Sequence, residues 1–182
     1  MVSHIITTTL EAAALSAISN LAAQAIKAYR EETSFSVRLV PLAQFVIFTL
    51  ISCPPNILWQ EYLEYKFPGQ TLAPSLSTDV IYEKRLDIPN TLRKLLFDQT
   101  LGAFVNTFAF VAAMAAFKGK PARAVQREVE RDVLPLMINS WKVWPFVAIM
   151  NFTLVPVNRR VIVGAIVGLF WGIYLSMFAA VD

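Results

Sequence analysis

The chain has 182 residues, 56% hydrophobic and 16% charged, with a formal net charge of +3 and a mean hydropathy of +0.53. Soluble domains carry roughly 25% charge and 45–50% apolar residues, so an ordinary soluble domain is excluded, and the hydrophobicity excludes disorder. A lone Cys53 and a lone His4 exclude an internal disulfide and a His/Cys zinc cluster. The small, scattered charge points to no nucleic acid, and no feature asks for a cofactor. The remaining class is an integral membrane protein, one domain over residues 1–182, whose first partner is the lipid bilayer.

A spanning helix needs about 20 mostly apolar residues. The first candidate, 10–28, is uncharged only from Ala12 to Ile26 and rich in Ala, Ser, Asn and Gln, so it either spans or lies against other helices. Residues 39–58 lie in a run of 22 uncharged residues and form the second helix. The third, 98–117, opens with Asp98, which suits an N-cap, followed by 19 uncharged residues. The fourth, 133–157, is interrupted by Lys142 between Trp141 and Trp144, a placement that suits the headgroup boundary. The last, 161–181, is wholly uncharged. The expected fold is therefore all-α, a polytopic bundle of four to five transmembrane helices.

The connectors differ from one another. Phe67 to Asn90 reads as a turn-rich loop holding Pro68, Gly69, Pro74 and Pro89. Pro121 to Pro135 reads as a short interfacial amphipathic helix, with Ala122, Val125, Val129 and Val133 on one stripe and Arg123, Arg127 and Arg131 outside it. Pro54-Pro55 and Pro145 predict kinks. With five spans, Lys and Arg divide seven against eight between the two sides, which orients nothing.

Helices associate in lipid through small residues and polar contacts. Gly164, Gly168, Gly172 and Ser176 recur every four residues along the last helix and form its expected packing face. The partner is another helix of the chain or a second copy in a homo-oligomer. Gln24, Asp98, Gln99, Asn106 and Asn151 are the polar groups inside the expected spans. They either bond across helices or line a path for small polar solutes. No catalytic constellation is visible: His4 stands in an expected mobile N-terminus, and Glu61 and Glu64 read as a solvated helix end. An enzyme is not expected.

Trp141-Lys-Val-Trp144-Pro145, Asn151-Phe152, Val155-Pro156 with Arg159/Arg160, and Trp171-Gly-Ile-Tyr174-Leu175-Ser176 follow one another at distinctive spacings. This series resembles the signature of the Mpv-seventeen and twenty-two-kilodalton peroxisomal membrane protein family. Trp59, Leu63, Phe67-Pro68-Gly69, Phe97-Asp98-Gln99 and Gln24 are similar to its upstream segments. Gly102-Ala103-Phe104, Ala148, Gly172 and Asn20 depart from the family pattern and remove polar groups from the interior. The resemblance implies a small helical membrane protein of the peroxisome, narrowly favoured, or of the mitochondrial inner membrane. It also implies a weakly selective channel for small metabolites in organelle homeostasis. The alternative it implies is a sorting scaffold that recruits a partner through its loops.

Overall fold

The computed structural model describes the backbone of residues 2–74 and 82–178, and all of their side chains except those of 73, 74, 82, 172 and 174–178. The side chains of Gly172, Tyr174 and Ser176, and the expected end of the last helix at Val181, lie outside the described residues. The described residues form α1 (Val2–Arg30), α2 (Leu39–Lys66), a hairpin of β1 (Gln70–Pro74) and β2 (Tyr82–Leu86), then α3 (Ile88–Phe97), α4 (Ala103–Phe117), α5 (Ala122–Ser140), α6 (Trp144–Leu154) and α7 (Arg160–Phe178). A π-helical turn, Asp98–Gly102, joins α3 to α4, and a short 3-10 turn, Val157–Arg159, precedes α7.

Three continuous helical stretches are long and apolar enough to cross a membrane: Val2–Arg30, Leu39–Lys66 and Ile88–Phe117. A fourth arises when α5 and α6, bent by 57° relative to each other, are taken as one broken span. The protein is thus an all-α polytopic membrane bundle carrying one small antiparallel hairpin.

Several boundaries differ from the sequence expectation, each for a packing reason. α1 begins at residue 2 rather than 10, so His4 is helical and its Nδ1 lies 3.3 Å from Thr8 Oγ1. Its start is held by contacts: Ile5 packs on the Ala12–Cys53–Ile57 cluster together with Val161, Ile162 and Ala165 of α7. Small Ala12 and Ala13 let the helices approach closely. α2 is one helical element that passes through Pro54-Pro55 and continues to Lys66.

The segment read as loop holds the hairpin, paired Gln70 to Leu86, and then α3. Asp87 caps α3 by accepting from the Asn90 N–H at 2.9 Å, with Pro89 in the first turn. The apolar run therefore starts a full helix after its polypeptide becomes helical, and Asp98 is an interior residue rather than an N-cap.

The amphipathic stripe around Val129 and Val133 is real, but its helix does not stop at Pro135. α5 runs on to Ser140 because Val133 and Met137 are buried against Val111 of α4, with Phe110, Val129 and Leu136 beside them. The chain breaks at Trp141–Lys142–Val143, and Pro145 opens α6 in its first turn, so the kink expected there is the 57° bend between α5 and α6.

On α7 the packed residues are Val161, Ile162 and Ala165. A Cβ on Gly164 would meet nothing within 4 Å, and one on Gly168 only the edge of the Trp144 ring at 3.9 Å. Among the described residues Gly164 is therefore not part of a close helix contact, because the contact side of α7 lies at its neighbour Ala165.

The polar face of α1 fastens the first two helices. Gln24 Nε2 donates to Asn20 Oδ1 at 2.7 Å and to the Arg38 carbonyl at 3.1 Å, and its Oε1 accepts from the Arg38 N–H at 2.7 Å. Ser16 Oγ donates to the Phe45 carbonyl at 3.4 Å. Gln24 thus clips the α1–α2 connection, the polar-contact alternative of the two. Gln24→Leu is expected to cost about 1–3 kcal/mol and to open the 31–38 connection to limited proteolysis; cleavage at the wild-type rate would contradict this role.

Candidate functional site

The C-terminal half of α2 places Gln60 and Glu64 one turn apart, with Trp59 and Leu63 beside them. α3 and the π turn place Lys94 and Asp98 at the same four-residue spacing. Two polar layers result, one at Asp98 and one at Glu64.

In the first layer, Asp98 accepts from Gln60 Nε2 at 2.9 Å and Trp59 Nε1 at 3.3 Å through one oxygen, and from Gln99 Nε2 at 2.9 Å through the other. The π turn makes this possible: its extra residue re-aims Asp98 and closes with the Ala103 N–H on the Asp98 carbonyl. The Gln99 carbonyl accepts from Trp141 Nε1 at 2.9 Å, so the break between α5 and α6 is anchored on the π turn. Gly102 leaves room for the indole, since a Cβ there would lie 2.8 Å from Trp59 Nε1. Gly102→Ala is expected to push Trp59 off Asp98, at a cost of about 1–3 kcal/mol, read as a lower unfolding temperature and a shifted tryptophan emission. An unchanged emission and unfolding temperature would count against the contact.

The second layer is a buried ion cluster. Lys94 Nζ and Arg160 NH1 each lie 2.7 Å from Glu64 Oε2. Glu64 Oε1 accepts from the Gly69 N–H at 2.7 Å. Lys94 and Arg160 side chains are 0% and 5% exposed, while Glu64 keeps 29% and so is the member that meets the outside. The two cations sit 5.4 and 5.2 Å from the centre of the buried Phe152 ring, a cation–π arrangement. Arg160 Nε also donates to the Asn151 and Val155 carbonyls at 3.1 and 3.2 Å. Pro156 and the 3-10 turn cause this by bringing the start of α7 back over the end of α6. Gly69 is pressed against the cluster: a Cβ there would lie 2.6 Å from Lys94 Nζ.

Of the sequence candidates, Asp98 and Gln99 belong to this site directly. Asn151 borders it, donating through Nδ2 to the Arg160 carbonyl at 3.3 Å while its buried Oδ1 has no donor among the described residues. Gln24 is elsewhere, and Asn106 is exposed on the outside of α4. Arg159 is exposed, and the buried cation of that pair is Arg160. Trp141 anchors the π turn, Trp144 and Pro145 start α6, Phe152 floors the cluster and Pro156 ends α6.

Lys94 carries no mark in the sequence, Arg160 and Gly69 stand out only through the family resemblance, and Glu64, read as part of a solvated helix end, is an ion partner that keeps 29% of its side chain exposed. The available signal was the matched spacing, Gln60 to Glu64 against Lys94 to Asp98, which two neighbouring helices running oppositely would bring face to face. An apolar groove of about 380 Å³ beside this site is lined by Leu92, Leu95, Leu96, Gln99, Trp141 and Pro145.

Fold and site together define a polytopic α-helical membrane protein with ionisable residues clustered at one end of its bundle. The profile of the Mpv17 / PMP22 family matches residues 115–176. PXMP2/4 family protein 3 of Dictyostelium discoideum is 32% identical over 173 residues, covering 95% of this chain and 83% of the relative. Protein sym1 of Schizosaccharomyces pombe is 26% identical over 187 residues, 95% of this chain and 84% of its own. The mitochondrial inner membrane protein Mpv17 of Drosophila melanogaster is 26% identical over 135 residues, 74% and 72% of the two chains. No solved structure matches. The chain belongs to the Mpv17 / PMP22 family.

Proposed function

We propose that the protein is a passive, weakly selective conduit for small polar metabolites in an organelle membrane, with a transport role and no catalytic one. The observation that carries this reading is the cluster of four ionisable residues, buried Lys94 and Arg160 with half-buried Glu64 and Asp98, where three helices of the bundle meet at the end of their uncharged stretches. Ionisable groups drawn between the helices of a membrane bundle are costly and mark solute or ion pathways in membrane proteins. Two cations against two carboxylates favour neither sign of solute, hence weak selectivity.

The names of the relatives, one a mitochondrial inner membrane protein and others of the PXMP2/4 family, support an organelle membrane. Imaging of a tagged protein against peroxisomal and mitochondrial markers assigns the organelle. The function is tested by loading pure proteoliposomes with labelled small polar solutes. Efflux well above that of protein-free vesicles is expected, and efflux equal to theirs would contradict a conduit.

A second reading, a membrane scaffold, is favoured by the exposed outer stripe of α5: Arg123, Gln126, Arg127, Glu130 and Arg131 face away from α4. Replacing the three arginines by glutamine removes that surface without touching Val133 or Met137. Loss of a specific co-purifying protein, with flux unchanged, is the result this second reading requires.

A further inference from the structure

The donors around the Glu64 carboxylate are fixed by parts of the protein other than Glu64. Arg160 is placed by its Nε bonds to the Asn151 and Val155 carbonyls, and both cations rest against the Phe152 ring. The Gly69 backbone is held from behind: its carbonyl accepts from the Asp87 N–H at 3.0 Å, and the Pro68 carbonyl accepts from Asn90 Nδ2 at 3.3 Å. The result is a preorganised seat for one carboxylate, with one oxygen toward Lys94 and Arg160 and the other toward the Gly69 N–H. The seat is narrow. A Cβ on Gly69 would lie 2.6 Å from Lys94 Nζ and 3.7 Å from the Phe152 carbonyl, so its walls suit a flat carboxylate better than a tetrahedral oxyanion.

The present occupant is the least enclosed member of the cluster. Glu64 stands in the last turn of α2, which ends at Lys66, and its side chain is part-exposed where those of Lys94 and Arg160 are buried. Rotation about its own side-chain bonds carries the carboxylate outward. Arg160 NH1 lies 2.7 Å from Glu64 Oε2, yet it is buried and makes no aligned hydrogen bond among the described residues. A buried donor left unspent is costly, and here it stands ready for a second carboxylate. We propose that Lys94, Arg160 and the Gly69 N–H form a binding site for a small carboxylate anion from the aqueous phase, which Glu64 closes as a tethered, displaceable occupant. The incoming anion bonds first to Arg160 NH1 and takes the seat as Glu64 rotates out. One carboxylate replaces another, so neither buried cation is left unpaired. The aqueous source follows from the way in: the opening lies at Glu64, where α2 has left its uncharged run 39–60 and the chain turns into the hairpin. Binding is read on the protein alone, so the proposal does not rest on the passage of solutes.

The test is the NMR linewidth of isotopically labelled acetate mixed with the full chain in detergent micelles. The wild type is expected to broaden the line and unlabelled acetate to reverse the broadening. Lys94→Met is expected to leave the line as narrow as protein-free micelles do. Glu64→Ala, with no tethered carboxylate to compete, is expected to bind acetate about tenfold more tightly than the wild type. Its unfolding temperature then rises by roughly 3–6 °C at an acetate concentration tenfold above Kd, against chloride at equal ionic strength. Where Glu64→Ala does not fold, the comparison of wild type with Lys94→Met decides alone. Equal broadening by these two would overturn the proposal. Acetate binding by Glu64→Ala but not by the wild type would overturn it too, since Glu64 would then be a permanent ion partner. So would displacement of bound acetate by oleate in the micelle, which would move the source of the ligand into the membrane.

Discussion

Glu64→Gln is expected to lower the unfolding temperature of the protein in lipid or detergent by roughly 6–20 °C, the largest effect of any single substitution at the site. Glu64 is the only carboxylate within ion-pair distance of both Lys94 and Arg160 among the described residues. Removing its charge leaves two buried cations facing a neutral amide. Breaking one partner of a buried ion pair costs about 3–5 kcal/mol, and each kcal/mol is worth roughly 2–4 °C for a chain of this size. Glu61→Gln is the control, since Glu61 makes no ion pair among the described residues and a substitution of that kind stays within about 0.5 kcal/mol. Equal unfolding temperatures for the two variants would remove the ion cluster from the account of stability.

Lys94→Met is expected to preserve the fold and change the charge preference. The methionine keeps an unbranched apolar stem in a fully buried site beside Leu63, Leu95 and Phe152. Glu64 retains Arg160 as its ion partner, so the loss is limited to about 1.5–3 kcal/mol. The site passes from charge balance to an excess of one negative charge. Under a KCl gradient, the reversal potential then moves toward the potassium equilibrium value. A reversal potential equal to that of wild type, with conductance retained, would show that solutes do not pass the cluster.

The spans of this protein are legible in its charges because hydrocarbon excludes them, and 39–58 and 99–117 are helical as expected. The true helix ends are not legible, because α2 continues past Trp59 and α3 starts at Ile88 in segments that carry charge. There the helices are held by tertiary contacts and capping rather than by an apolar run. Asp98 was misplaced for the same reason: the uncharged stretch begins just after it, while the helix had begun ten residues earlier.

The site was half legible. Asp98 and Gln99 stand out as polar groups at the edge of a span, and Trp141 through the family motif. The ion cluster does not stand out, because Lys94 and Glu64 are 30 residues apart in sequence, and each looks like an ordinary charged residue near a helix end. Nothing local distinguishes exposed Arg159 from buried Arg160; only the 3-10 turn after Pro156 decides which of them points inward.

The most direct measurement of the central claim is the current carried by the purified wild-type protein in a planar bilayer under a KCl gradient. The balanced cluster predicts a conductance above that of the protein-free bilayer, with a reversal potential near zero. A bilayer that stays at its protein-free conductance, with the protein inserted and folded, would contradict the conduit.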